Sequence, residues 1–496
     1  AKDKLLAVTA VDNTAWTVLQ DFVRSHHADV NSADTDLSTL RSLASAWYLG
    51  YNPKSAIANL WQVPMATYPY LSAKYGDIAT GKAIAAAYTK TLKALKNGKL
   101  DPALSAALSN AIADGQLDAS AVVELSAMGD SNLFDKMTGL DTQRFFAKYV
   151  IHNGFYMFRK AEALNRRVTF VAAFDLAYAD TQNADAAYVA ATKALELTQF
   201  DMSKEARAEV FKGKTGFLLM FNQHVTMMSY LAFGGFSLNS AKWKVGVRVL
   251  MMAMLVTGIE GVPLLGGLGI DIFDVLKSTY LKLTGEEYTY SDARRDLREV
   301  LAEADQNPDL WMHGFARENG VPFLTLASLL GAPDFNVDLT GSLQMGYPGS
   351  WAEVARNNEL DAKNKLLGII KAFGGAGAGI AFDIYSSFAD DSLDEAKKRE
   401  RRMPIFMRNL ATAYRWKEDG GVVNAQGANV YPIQQDNMAD AAFKSLGFTP
   451  TKLSRFYEKY GMDSEAAAYW ATKKQGVTEL AKRAIESKDP EAIAAA

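Results

Sequence analysis

The chain has 496 residues, 49% of them hydrophobic and 22% charged, with a net charge of −3 and no cysteine. That length buries sizeable cores and makes more than one helical region, the balance excludes a disordered chain or a polytopic membrane protein, and the near-neutral charge gives no global field for holding nucleic acid. Without cysteine there is no disulfide scaffold, thiol nucleophile, Cys-ligated zinc or iron–sulfur cluster.

The opening AKDKLLAVTA is polar within four residues and reads as the edge of a processed piece of a longer chain. YNPKSAIANLWQVPMATYPYLSAKYG (51–76) is punctuated by Pro53, Pro64 and Pro69 and reads as a loop-rich connection. KAIAAAYTKTLKALKNGKL (82–100) carries a helical stripe that stops at Asn97-Gly98, and DASAVVELSAMGD (118–130) is a second, shorter helix. Residues 147–182 read as one long helix bent at Gly154, with Glu162 and Arg166 at i,i+4 as a favourable surface or interhelix pair. ADAAYVAATKALELT (184–198) follows as another helix. Strand-like alternation is almost absent, so the expected class is all-α: a multi-helix, elongated chain with Pro/Gly-rich loops, assembling as an oligomer. Regions are expected at 1–200, 201–305 and 306–496, with boundaries near 200–213 and 305–350.

Residues 215–241 carry no formal charge, but Asn222, Gln223 and His224 sit near their centre and Gly234-Gly235 breaks them. GVRVLMMAMLVTGIEGVPLLGGLGI (246–270) is the most apolar stretch. Neither of its halves reaches the roughly 20 residues a membrane span needs, and burying Glu260 mid-membrane costs about 2.5–3.5 kcal/mol. Two readings stand. One is a buried helix, a Gly-Pro turn and a second helix in a soluble core. The other is a set of conditional contact helices, in which Val249, Leu250, Met254, Leu255, Ile259, Leu264 and Leu265 meet lipid or a neighbouring subunit.

GKT at 213–215 lacks the upstream glycine of a phosphate-binding loop, since position 208 is Ala. His26-His27 point about 100° apart on a helix and suit no single metal. His152, His224 and His313 are solitary. There is no HExxH or GxSxG, and the acids of 285–305 interleave with arginine as on a solvated helix. No catalytic residue, metal ligand or cofactor is therefore expected, and the chain reads as a non-enzyme. In DDSLDEAKKRERRMPIFMRNLATAYRWKEDGG (390–421) acids lead and bases follow, as the helix dipole favours. Five of residues 397–402 are basic, and Pro404 restarts a helix whose stripe Met403, Phe406, Leu410, Tyr414 suits a core. The basic run is either a solvated face or a contact for phosphates of DNA or lipid headgroups through Lys397, Lys398, Arg399, Arg401 and Arg402.

Several blocks resemble, in the same order, the C-terminal regions of large phage polyvalent proteins and, more weakly, the internal core proteins that short-tailed phages eject ahead of their DNA. They are LGYNPKSAIANLWQVPMATYPYLSAKYG (49–76); FRKAEALNRRVTFVAAFDLA (158–177), with Ala161, Glu162, Asn165 and Arg166; GIEGVPLLGGLGIDIFDVL (258–276); VDLTGSLQMGYPG (337–349); and MPIFMRNLATAYRWKEDG with AFKSLGFTP (403–450). The resemblance implies a virion protein, held inside the capsid and then expelled. It implies a homo-oligomeric tunnel, built with other ejection proteins across the host periplasm and inner membrane, whose lumen passes double-stranded viral DNA. A different expectation is a packaging or docking domain of a larger virion-associated enzyme. Helices rich in local contacts refold fast after threading, and absent cysteines remove crosslinks that would block it.

Overall fold

The computed structural model describes residues 44–95, 98–117, 153–200, 222–233, 242–262, 272–285, 290–304, 306–318, 337–343, 376–389, 394–423, 429–432, 438–460 and isolated positions between 471 and 482. The helix expected at 118–130, the GKT triplet, His26, His27, His152, Leu264 and Leu265 lie outside them. The described residues form an all-α, multi-helix fold with two short two-stranded antiparallel ribbons.

Helix Asp77–Leu95 and helix Ala184–Thr198 fall where the apolar spacing puts them. The second is capped by Asn183, whose side chain accepts from the Asp185 and Ala186 amides at 2.9 and 3.0 Å. The long helix does not bend at Gly154 but begins beyond it, running Tyr156–Thr181. The turn before it is tied to the 49–76 block by the Tyr51 amide donating to the Gly154 carbonyl at 2.8 Å. The Pro-rich block is not a loop. Pro53 opens a helix at Pro53–Leu60, and Pro64 and Pro69 sit in the first turns of a π-helical turn (Val63–Thr67) and of helix Tyr68–Tyr75. For Pro53 and Pro64, in first turns, the missing amide costs little, and Pro69 follows without a break on the π-helical turn, a local widening of the kind that accompanies an interrupted amide ladder.

Two adjoining cores follow. The first joins Val63, Leu71, Leu104, Phe170, Phe174 and Leu195 with the alanines 172, 173, 177, 187, 191 and 194. The alanines explain the composition: small side chains bring helices Tyr156–Thr181 and Ala184–Thr198 close along much of their length. The second core joins Trp61, Met65, Phe200, Met228, Val249, Ala253, Val256, Val337, Leu339 and Phe448. It draws on all three of the regions expected above.

Between these cores runs a buried polar seam. Thr67 Oγ1 lies 2.8 Å from Thr169 Oγ1 and 3.1 Å from Thr198 Oγ1, and Gln199 Nε2 donates to Thr67 and Thr169 at 3.0 and 2.9 Å. Asn165 Nδ2 donates to the Asn59 carbonyl at 2.7 Å. The Glu162–Arg166 pair is buried, not on the surface, and Arg166 Nη1 also donates to the Gln116 carbonyl at 3.1 Å. Buried polar groups are tolerated here because most find partners.

The apolar stretch forms helix Lys242–Thr257, with Val249, Ala253 and Val256 on its buried face. It ends at Gly258, whose φ of +72° only glycine holds easily. A Cβ there would sit 2.2 Å from the Met312 carbonyl oxygen, and one on Gly314 (φ +76°) would sit 2.3 Å from the Gly258 nitrogen. The two turns interlock backbone to backbone. The second arm of the expected helix–turn–helix hairpin, beyond 262 and up to 270, lies outside the described residues; the next described helix, Ile272–Thr284, has Tyr290–Glu303 as its neighbour. Among the described residues no helix is long and apolar enough to cross a membrane.

Candidate functional site

Charged side chains converge at the C-terminal end of the described chain. Helix Glu395–Arg401 is capped by Asp394, which accepts from the Lys397 amide at 2.7 Å. Pro404 then precedes helix Ile405–Glu418. The one acid inside the basic run, Glu400, is buried and is the hub between these two helices. Its carboxylate accepts from Thr412 Oγ1 at 3.0 Å and, bidentately, from Arg415 Nε and Nη2 at 2.8 and 3.0 Å. Arg408 donates to the Glu400 and Arg401 carbonyls at 3.0 and 2.9 Å and pairs with Asp383 at 2.9 Å.

The basic run is therefore largely engaged within the chain. Lys397 pairs with Asp394 at 3.1 Å and Lys398 with Glu395 at 3.3 Å. Arg401 Nη1 donates to Ser386 Oγ at 2.7 Å. Arg402 donates to Ser387 Oγ at 2.9 Å and to the Ser387 carbonyl at 3.1 Å, with its guanidinium 3.9 Å over the Phe388 ring. Arg399 is exposed.

The polar face of helix Ile405–Glu418 thus turns inward, together with Asn409, Ala413 and Trp416. This corrects the expected core stripe. Leu410 and Tyr414 face out, while Met403 and Phe406 are half-buried, Phe406 with its ring 5.3 Å from Tyr51. The inversion follows from Glu400: a buried carboxylate must be satisfied, and Thr412 and Arg415 are the donors that reach it.

Beside this hub lies a cleft of ≈ 310 Å³, lined among others by Lys397, Glu400, Arg415, Trp416, Lys444 and Tyr457. Lys444 comes from helix Met438–Ser445, and its Nζ sits 5.6 Å from the Trp416 ring centre. Burial, with the charges of Lys54, Arg408 and Arg415 adding to it and Glu400 opposing, pushes the Lys444 ammonium down to about 8. Burial also lowers Lys54, against the pull of Asp338. Gly447 (φ +91°) lets Asn52 and Asn409 approach this corner; a Cβ there would meet their side-chain amides at 2.8 and 3.0 Å.

A second cluster surrounds Glu458 on the helix 451–460. Arg294 Nη2 lies 2.7 Å and Arg298 Nη1 3.3 Å from its Oε1, Arg317 Nη2 2.6 Å from its Oε2, and His313 Nε2 3.1 Å from Oε1. Arg298 also pairs with Asp309. Burial by itself would raise the Glu458 carboxyl, but the hydrogen bond and charge of His313, with Arg317 and Arg294, hold it at about 2. This cluster fastens the helix 451–460 to the 290–318 segment. It has no open face of catalytic acids, and among the described residues no group of three or more His, Asp or Glu is placed to hold a metal ion.

Of the other predicted contact residues, Val249 and Ile259 are buried, with Val249 in the second core, and Leu250 and Met254 are half-buried. Leu255 is 57% exposed, and beside it Met251, which the sequence reading did not single out, is 65% exposed. Lys444, Glu400 and Glu458 were also missed. For Glu400 a signal existed, since a lone acid inside a basic run is a ready internal counter-ion; for Lys444 and Glu458, each with other charged residues on its helix, no local pattern marks them. The fold defines an all-α, multi-helix protein. Comparison with protein-family models, curated proteins and solved structures finds no match.

Proposed function

We propose that the chain is a non-catalytic subunit of a phage DNA-ejection assembly, carried inside the virion and rebuilt after ejection as part of an oligomeric tunnel through the host periplasm and inner membrane. The observation behind this reading is spatial. The blocks that resemble polyvalent and ejected core proteins lie far apart in sequence yet build one interior. Block 158–177 meets block 49–76 through Thr169 and Asn165. Block 337–349 pairs with 442–450 as a ribbon, Val337 opposite Pro450, and Gly447 approaches Asn52. Gly258 rests on the turn at Met312 and His313. A resemblance carried by a shared interior concerns a folded unit, whereas one scattered over surface loops would not.

A specific observation favours a second reading, a packaging or docking domain of a larger virion enzyme. Val249, Ala253 and Val256 are sealed in the chain's own core rather than offered to lipid. Electron microscopy and sedimentation of the purified chain, with and without liposomes of inner-membrane composition, separate the two. A closed ring with helix Lys242–Thr257 at a subunit or lipid boundary supports the tunnel. A monodisperse monomer indifferent to lipid overturns it and leaves the packaging domain.

A further inference from the structure

We propose that the cleft between helix Ile405–Glu418, helix Met438–Ser445 and the helix 451–460 is a binding site for a small phosphate-bearing anion. Its size, ≈ 310 Å³, is at the lower end of small-molecule sites, which run from about 300 to 1,000 Å³. It has room for a phosphate group and one small substituent, and not for a length of nucleic-acid backbone.

The charge of the lining is one-sided. Lys397, Arg415 and Lys444 face a single carboxylate, Glu400. Both oxygens of that carboxylate are already taken, Oε1 by Arg415 and Oε2 by Arg415 and Thr412. Asp394 holds Lys397 from outside the cleft. Among the described residues Lys444 makes no ion pair, and its ammonium rests only over the Trp416 ring. A half-buried cation without an anion is costly to keep. Here two further cations, Lys54 and Arg408, add to the cost from neighbouring elements, with Glu400 the opposing charge. A bound phosphate removes this imbalance and gains charge-assisted hydrogen bonds from ammonium groups on two separate helices, with Arg415 adding its field. Trp416, Val422, Leu453 and Tyr457 form the apolar wall for the substituent. The proposal holds whether or not the chain belongs to an ejection assembly.

The phosphate can be free in solution or the monoester headgroup of a lipid, and two arms distinguish these. In the first, inorganic phosphate is titrated calorimetrically into the protein at fixed ionic strength. In the second, the protein is floated with phosphatidylcholine vesicles containing phosphatidic acid. The variant is Lys444→Met, which replaces an ammonium that has no ion pair among the described residues by a neutral side chain of similar shape, so its melting temperature should be unchanged or higher. Lys397→Met, at the rim, is the second variant. In whichever arm the wild type binds, Lys444→Met weakens binding by roughly tenfold or more, the worth of one charge-assisted hydrogen bond, and Lys397→Met weakens it less. Phosphate binding also fades as pH rises through the range where Lys444 loses its proton, near 8. Absence of binding in both arms, or binding that Lys444→Met leaves intact, overturns the proposal.

Discussion

Glu458 shows how one side chain can fix a distant junction. Its carboxyl is held at about 2, well below the ordinary carboxylate range. A depressed carboxyl contributes stability that is complete above its unfolded value and is lost as pH falls through the folded one. Acid titration from pH 5 to 2 should therefore remove about 3 kcal/mol through this group alone, read from urea midpoints at each pH. Glu458→Gln takes the shared carboxylate away from Arg294, Arg298 and Arg317, and should lower stability at pH 7 by about 3–5 kcal/mol and flatten that acid limb. Glycines give a second test at this scale. Gly76 has φ +83° with nothing near its missing Cβ, whereas a Cβ on Gly314 (φ +76°) would meet three backbone atoms at 2.3 to 2.5 Å. Gly76→Ala should thus cost only backbone strain, about 1–3 kcal/mol. Gly314→Ala should cost distinctly more in the same denaturant titration, because the Gly258 turn must move.

For elements, helix Ile405–Glu418 is the instructive case. Its apolar spacing is a true helical signal, but spacing does not say which face is inside. The buried face is chosen by Glu400 and by Trp416, not by the longest apolar stripe. Replacing Leu410 and Tyr414 together by Ser should change stability by no more than about 0.5 kcal/mol per site. Trp416→Ala should cost about 3–5 kcal/mol, measured by thermal or urea unfolding. Helix Lys242–Thr257 is split in the opposite sense. Its buried face closes the second core, while Met251 and Leu255 remain outside, where an assembly would find them.

Across the whole molecule, the second core takes Trp61, Met228, Val256, Leu339 and Phe448 from widely separated parts of the chain. Elements that share one interior unfold together. Far-UV circular dichroism and tryptophan fluorescence should therefore report coincident thermal transitions, and Glu458→Gln should move both by the same amount. Truncation before residue 438 removes Phe448, the partner strand of Val337–Asp338 and Glu458 at once. The remaining chain should show a broad, early transition in the same experiment.

By itself the sequence determined the helical class and the helix at Ala184–Thr198 to the residue. These depend on local spacing, capping and backbone freedom, which neighbouring residues decide among themselves. It misplaced the Pro-rich block as loop, because proline in a first helical turn has the same composition as proline in a loop. Tertiary structure alone decided that Glu162 and Arg166 are buried, that Lys444 meets Lys397 and Arg415 around one cleft, and that Glu458 gathers three arginines. The contacts of Lys444 and of Glu458 join residues tens to hundreds of positions apart. Burial and long-range charge, which set their chemistry, are properties of the packed chain and leave no periodic trace in it.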